Sequence, residues 1–269
     1  MYSLDRKSSI ALITGASSGI GAELSKEFAR DGGKHLVAVA RDKQRLMDLK
    51  AEIEDSWDCL VYPIEQDLAE PNAAQKILQA YKNLKLGSLK YLVNNAGFGH
   101  RGFFIGQDLE KHRKMVQVNA MAITDLLYLF LPQMIENKGG RVMNISSTAA
   151  LVPGPMQAVY FATKAFVSSL GNALAEELRG NDIKVTTCMP PPTESNFAKE
   201  AQLENSILFR KTVSAEDVAK IAYRAMMKGK LNVFPSLNFG QKLLLALIPF
   251  SPKTIVLRIV RKLHQVPKE

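Results

Sequence analysis

Tyr160 and Lys164 stand four residues apart in the run Tyr160-Phe161-Ala162-Thr163-Lys164. On a helix this spacing puts both side chains on one face, one turn apart. A free phenol titrates at about 10, too high for ready proton exchange near neutrality. An ammonium group beside it favours the phenolate and lowers that value. So placed, Tyr160 can give a proton to a carbonyl during reduction, or accept one from an alcohol during oxidation. Ser147 closes the run Asn144-Ile145-Ser146-Ser147, and its hydroxyl can hold an oxygen on which charge develops. Taken alone, a tyrosine and a lysine at this spacing are common on helices as one exposed pair. A serine–lysine hydrolase is a second reading, but it needs an oxyanion hole for which the sequence offers no candidate.

A second chemistry-bearing feature lies near the N-terminus, in Thr14-Gly15-Ala16-Ser17-Ser18-Gly19-Ile20-Gly21. An apolar strand precedes it and a helical pattern follows at once. Glycines at such a turn let the backbone bend tightly and approach a diphosphate. The helix N-terminus then offers N–H groups and a partial positive charge, and Ser17 and Ser18 can add hydroxyl donors. A bare loop is the usual reading of a lone glycine triplet; the strand–turn–helix context favours a dinucleotide site. The next strand closes with Val39-Ala40-Arg41-Asp42. A carboxylate at the strand end would take the ribose hydroxyls of NAD. Ala40 occupies that place and Arg41 follows, so the expectation is NADP(H), with NAD(H) as the alternative.

These groups need a frame. Short runs rich in Val, Ile and Leu read as buried strands at Ile10–Thr14, His35–Ala40, Leu60–Pro63, Tyr91–Asn94, Arg141–Ile145, Lys184–Met189 and Leu231–Pro235. Helical spacing lies between them, including Gly19–Arg30, Leu109–Glu136 and Val159–Arg179. Alternating strands and helices predict an α/β fold: a doubly wound parallel sheet of the Rossmann type with helices on both faces. Ligands of such a sheet bind beyond the carboxyl ends of its strands. Residues 190–212 form a proline-led stretch that overhangs this crevice, either a substrate lid or a plain surface loop. No linker divides the chain. The expectation is one domain over residues 1–235 with a helical extension, 236–269, that belongs to it.

The bulk composition agrees. The chain has 269 residues, is 46% hydrophobic and carries a net charge of +9. That is enough for one large core. The basic excess gathers toward the C-terminus, so a groove for nucleic acid is not expected. Cys59 and Cys188 lie among apolar residues and read as buried thiols, not a disulfide framework. Four scattered histidines lack metal-ligand spacing. The N-terminal run lacks the apolar core of a signal peptide, and no uninterrupted apolar run approaches a membrane span. A reduced, cytoplasmic setting is expected.

Together these residues resemble the short-chain dehydrogenase/reductase family. The resemblance runs from about residue 8 to residue 235 and rests on TGASSGIG at 14–21, Asp67-Leu68, NNAG at 94–97, Asn119, NISS at 144–147 and YFATK at 160–164. It implies a single Rossmann-type domain with seven strands and NAD(P)-dependent interconversion of an alcohol and a carbonyl. It implies a catalytic set of Asn119, Ser147, Tyr160 and Lys164, with Asn119 holding a water behind Lys164. The family's serine stands thirteen residues before its tyrosine, which selects Ser147 over Ser146. Gly15, Ser17, Gly19 and Ile20 would contact the phosphates, in a turn completed by Ser18 and Gly21. Asp67, beside Leu68, would meet the adenine, and Asn94, Ala96 and Gly97 the adenosine ribose. Lys164 would also bond the nicotinamide ribose. Arg41 matches the basic residue of members that prefer NADP. The family pairs through the long helices at 109–136 and 159–179, so a homodimer or homotetramer is implied.

One departure stands out. Where the family reads Pro-Gly-Pro after the sixth strand, this chain reads Pro190-Pro191-Pro192-Thr193. Pro191 cannot take positive φ and has no N–H, which leaves Pro190 and Thr193 as the expected cofactor contacts there.

Beyond residue 235, Leu243–Ile248 is nearly all apolar. After Pro252, Ile255, Val256, Ile259, Val260 and Leu263 share one helical face, with Arg258, Arg261 and Lys262 opposite. This amphipathic basic helix suits either peripheral contact with an acidic membrane surface through 240–269 or packing over the cleft or a subunit interface. Phe98, Phe103 and Phe104 after NNAG suggest a medium to large apolar carbonyl or alcohol substrate. His100 reads as a solvated loop residue near the cleft, and Trp57 as a partly buried packing residue. A cofactor-binding sensor without turnover is the alternative function, and the intact serine, tyrosine and lysine argue against it.

Overall fold

In the computed structural model, which describes residues 9–265, seven parallel strands form one sheet. In chain order the elements are β1 (Ile10–Thr14), α1 (Gly19–Arg30), β2 (His35–Ala40), α2 (Lys43–Ser56), β3 (Leu60–Glu65), α3 (Ala73–Asn83) and β4 (Tyr91–Asn94). Then come α4 (Leu109–Val116), α5 (Ala122–Glu136), β5 (Gly140–Ile145), α6 (Ala158–Glu177) and β6 (Ile183–Cys188). The chain continues through α7 (Phe197–Glu200), α8 (Ala215–Met227), β7 (Asn232–Val233), α9 (Phe239–Leu247) and α10 (Lys253–His264). The strand order is β3-β2-β1-β4-β5-β6-β7. The order reverses between β1 and β4, where Leu12 aligns with Leu92 and Ile13 with Val93. That reversal opens a crevice at the strand ends. The doubly wound sheet expected from the sequence is therefore present.

Side-chain alternation along each strand sorts the core into two layers. Ala11 and Ile13 of β1 join Leu24, Phe28, Leu46 and Ile53 from α1 and α2. Ile10 and Leu12 face the other way and join Ile77, Tyr81, Leu126 and Phe130 from α3 and α5. Both faces are covered, which explains why the strands read as unbroken apolar runs. Cys59 and Cys188 are buried free thiols, and burial pushes both up to about 12. Trp57 is half-buried against the first layer, with the Arg30 guanidinium 5.6 Å above its ring.

Several boundaries differ from expectation: β5 begins one residue earlier at Gly140, β6 is shifted back by one to Ile183–Cys188, and α6 covers Ala158–Glu177. The last strand is only Asn232–Val233, because β7 is a short edge that pairs with β6 alone. β3 runs on to Glu65 beside β2. The long helix of 109–136 is broken by a π-turn at Gln117–Met121, between α4 and α5. By length and composition it could span a bilayer, yet just over half of its most apolar stretch is buried in the fold. Residues 1–8, which include most of the N-terminal run, and residues 266–269 of the extension lie outside the described residues.

Candidate active site

A cleft of about 1330 Å³ runs along the carboxyl ends of the strands. Its floor at one end is the turn from β1 into α1. Gly15 there has φ +65°, and a methyl group added to it would lie 2.9 Å from the Cα of Ala96. Gly21 is tighter still: a methyl would lie 2.2 Å from the Gly15 carbonyl oxygen. Thr14 and Asn95 hold this join. The Asn95 amide donates to the carbonyls of Thr14 and Gly15, at 2.9 and 3.2 Å. The N–H groups of Asn95 and Ala96 donate to Thr14 Oγ1, at 3.0 and 3.1 Å. Ser18 is the N-cap of α1, and its side chain makes no capping bond. The first-turn amides of α1 thus meet the cleft uncapped by any side chain, beside Ser17 and Ser18. This donor set fits the diphosphate of a dinucleotide.

The next wall comes from β2. The strand ends at Ala40, and Asp42, which also lines the cleft, caps α2. Asp42 accepts the Arg45 N–H at 3.0 Å and pairs with Arg45 Nε at 3.2 Å. Its carboxylate thus serves the start of α2. Arg41 and Arg45 both line the cleft. Sequence reasoning missed Arg45, because only the turn of α2 brings it back beside Arg41. Asp67 and Leu68 line the neighbouring wall, where Asp67 Oδ1 accepts the Ala69 N–H at 2.9 Å.

Ser147, Tyr160 and Lys164 meet at the middle of the cleft. Burial pushes the Tyr160 phenol up to about 12, outweighing the opposing effect of the nearby Ser147 hydroxyl. Ser147 Oγ also accepts the Ala149 N–H at 3.1 Å. Lys164 Nζ donates to the Ile145 carbonyl at 2.9 Å and lies 5.8 Å from the Tyr160 ring centre. Burial pulls its ammonium down to about 8. Ser146 is not equivalent to Ser147: it donates to the Lys164 carbonyl at 2.7 Å and accepts from Ser168 at 2.8 Å. It fixes α6 to β5; both serines line the cleft, and Ser147 is the more exposed.

Three expected site residues stand behind the wall instead of on it. Asn94 is fully buried, and its amide donates to Asn144 across β4 and β5 at 2.9 Å. The adjacent Asn95 faces the cleft in its place. Gly21 acts by close packing, as above. Asn119 sits in the π-turn, where its amide donates to the Phe98 carbonyl at 2.9 Å and to Thr163 Oγ1 at 3.1 Å. Its Oδ1 accepts the Phe98 N–H at 3.0 Å. Both amide protons are spent within the protein, so a water behind Lys164 would need Oδ1 or the main chain.

Pro190, Pro191 and Thr193 line the cleft. No residue of that turn has positive φ. Thr193 Oγ1 donates to the Pro191 carbonyl at 2.8 Å, so the hydroxyl is engaged locally. A bridge between Thr193 and Val213 closes the base of the 190–212 segment. Within it, Phe197 lies over Tyr160, their ring centres 5.3 Å apart, and Phe209 stacks beyond at 6.2 Å. Ser195, also missed from sequence, approaches the glycine turn: a methyl at Gly19 would lie 3.0 Å from its Cβ.

The far end is apolar, walled by Val152, Phe161, Leu203 and the extension. Ile255, Val256, Ile259, Val260 and Leu263 of α10 line it. The apolar side of the amphipathic helix therefore faces the cleft. Arg101 holds it there, donating to the carbonyls of Gln202 at 2.9 Å and His264 at 3.1 Å. Of the three phenylalanines after NNAG only Phe98 reaches the cleft. Phe103 lies under Arg261 at 5.8 Å, and Phe104 stacks on His112 at 4.9 Å. His100 is half-buried instead of solvated, and desolvation lowers its pKa.

Comparison with known proteins agrees with this geometry. The short chain dehydrogenase family model matches residues 9–206. A very-long-chain 3-oxoacyl-CoA reductase of Laccaria bicolor is 33% identical over 184 residues, 67% of this chain and 53% of that relative. The chain thus spans about half the length of that curated relative. A short-chain dehydrogenase from Sphingobium yanoikuyae, solved with NADPH, superposes with a TM-score of 0.80 at 30% identity, covering 87% of this chain and 91% of the other. The bulky-bulky ketone specific alcohol dehydrogenase of Comamonas testosteroni gives 0.77 at 26% identity, covering 97% of each chain. With its parallel sheet, glycine turn and Ser147, Tyr160 and Lys164 in one cleft, the chain belongs to the short-chain dehydrogenase/reductase family of NAD(P)-dependent oxidoreductases.

Proposed function

We propose that the chain is an NADP(H)-dependent carbonyl reductase or alcohol dehydrogenase for a medium to large apolar substrate. The observation that carries this reading is the convergence of Ser147, Tyr160 and Lys164 in one cleft, between a polar nucleotide end and an apolar far end. Ser147 holds the substrate oxygen, and Tyr160 gives it a proton during reduction or takes one during oxidation. A bound nicotinamide supplies or accepts the hydride. When charged, Lys164, 5.8 Å from the Tyr160 ring centre, would favour the phenolate. Asn119 is a positioning residue that fixes the backbone at Phe98 beside Lys164.

Arg41 and Arg45 favour NADP(H): two guanidiniums line the cleft at the end of β2, where they could bind a 2′-phosphate, and the Asp42 carboxylate beside them is engaged in capping a helix. Gly15, Ser17, Ser18, Gly19 and Ile20 hold the diphosphate; Asp67, Leu68, Ala96 and Gly97 hold the adenosine; Pro190 and Thr193 border the nicotinamide. Residues 1–235 form the catalytic domain, 190–212 its lid and 236–269 an extension that completes the far wall. The relatives named for very-long-chain 3-oxoacyl-CoA and for bulky ketones support a large apolar substrate. The helices at 109–136 and 159–179 match those through which the family pairs, and this supports a homodimer or homotetramer. A cytoplasmic enzyme with peripheral membrane contact through 240–269 fits the same picture.

The test is NADPH oxidation with a series of aliphatic and aromatic aldehydes and ketones, for wild type and Tyr160→Phe. Turnover should fall by about 10²–10⁴-fold in the variant, while NADPH fluorescence still reports binding. A variant that keeps full turnover overturns the role of Tyr160.

A further inference from the structure

Between residues 236 and 264 the chain carries Lys242, Lys253, Arg258, Arg261 and Lys262 and no carboxylate. All five cations are exposed. The apolar residues of α9 divide. Leu245 and Ile248, just past its end, turn toward the cleft. Phe239, Leu243 and Leu247 repeat every fourth residue on an exposed stripe, and Phe250 follows, with Phe239 at 81% and Phe250 at 86% exposure. A capping box at Asn238 and Gln241 fixes the start of this helix. A second exposed apolar point, the turn at Phe103–Ile105, has Ile105 at 95% exposure. Both segments adjoin α10: α9 leads into its start, and Phe103 lies under Arg261.

The apolar side of α10 lines the cleft, although Ile255 and Ile259 keep 52% and 55% exposure. What remains outward is a row of cations with large apolar side chains at both ends. Scattered exposed apolar residues are ordinary on a protein surface; a stripe of this size beside unopposed cations marks a contact surface. A twofold contact with a second copy would set this basic face against itself. We infer that α9, the turn after it, the basic side of α10 and the 103–105 turn together dock on an anionic lipid bilayer. The apolar end of the cleft, walled by the same α10, then takes its substrate from the lipid phase. This last step rests on the reading of the cleft as a site for an apolar carbonyl or alcohol.

The test uses the full chain with vesicles of phosphatidylcholine alone or mixed with phosphatidylglycerol. The protein should sediment with the mixed vesicles and remain in solution with phosphatidylcholine alone. The double variants Phe239→Ser/Phe250→Ser and Phe104→Ser/Ile105→Ser should each lower binding by about tenfold, through lost apolar burial. Their melting temperature, NADPH binding and turnover of a water-soluble aldehyde should match wild type. Wild type that stays in solution with mixed vesicles, or binds both vesicles equally, overturns the inference. So do variants that bind like wild type, or a self-association that the variants abolish without any vesicle binding. Vesicle binding without turnover sinks only the catalytic reading, and turnover without vesicle binding sinks only the docking face.

Discussion

The two ends of the cleft are made of different material. At the nucleotide end the wall is mostly main chain and polar. Gly15, Gly19, Ala96 and Gly97 come from turns that leave the sheet, and Asn95 ties them together. At the substrate end the wall is side chain and apolar. Phe161, Phe197 and Phe209 share it with α10, and most of these elements lie outside the sheet. A main-chain wall is fixed by the strands behind it and has no spare volume. A side-chain wall is set by residue choice and by a few bonds between loops. The first suits a ligand of constant shape; the second can be changed one side chain at a time.

If that contrast is right, the largest loss follows from the smallest added group. Gly21→Ala places a methyl where the Gly15 carbonyl and the Asn95 amide now lie, at 2.2 and 2.4 Å. Neither can yield without moving the turn that receives the diphosphate. NADPH binding, followed by fluorescence titration, should fall below detection, and the melting temperature should drop with about 1–3 kcal/mol of lost stability. Retention of normal NADPH affinity would show that the nucleotide end has room, and the contrast would fail there.

A smaller loss should come from the charged rim of the same end. Arg41→Ala should weaken NADPH by about tenfold or more, the scale of one charge-assisted hydrogen bond. NADH should weaken far less. Arg45→Ala should act in the same direction by a lesser factor, because Asp42 already engages its guanidinium. Equal losses for both cofactors would reverse the NADP(H) preference and leave the main-chain wall as the whole of the nucleotide site.

The same contrast governs what the sequence discloses. Strand positions and the glycine turn are legible because burial on both faces and main-chain packing each demand particular residue types. Tyr160, Lys164 and Ser147 are legible because their chemistry is tied to a fixed spacing. Adjacent asparagines look alike in sequence, and only the strand pleat decides that Asn94 is buried against Asn144 while Asn95 lines the cleft. The role of Gly21 needs the three-dimensional approach of Gly15. Arg45, Ser195 and Phe197 escaped because they reach the cleft from loops and helix turns with no motif. The amphipathic pattern after Pro252 was legible as a helix, with a membrane surface, the cleft or a subunit interface as its possible partners. An apolar stripe does not say which of these it faces, and in the fold it lines the cleft.

The mildest test falls on the bonds that keep the apolar wall in place. Arg101 follows β4, yet its side chain reaches both the 190–212 segment and the end of α10. Its N–H also donates to the Ala201 carbonyl at 3.0 Å. A guanidinium at the last carbonyls of α10 satisfies an acceptor that the helix leaves open and complements its dipole. Arg101→Ala removes the side-chain bonds and keeps the main-chain one, so the wall should loosen without leaving. Each such bond at a partly exposed site supports about 1 kcal/mol. KM for a long aliphatic aldehyde should therefore rise by about three- to tenfold, with kcat for a short one and NADPH affinity unchanged. Arg101→Lys, which cannot fork to two carbonyls, should fall between. An equal rise in KM for short and long substrates would mean that α10 does not select for size. A loss of NADPH affinity would mean that the two ends are coupled through the loop after β4, and that the division between main-chain and side-chain walls does not hold.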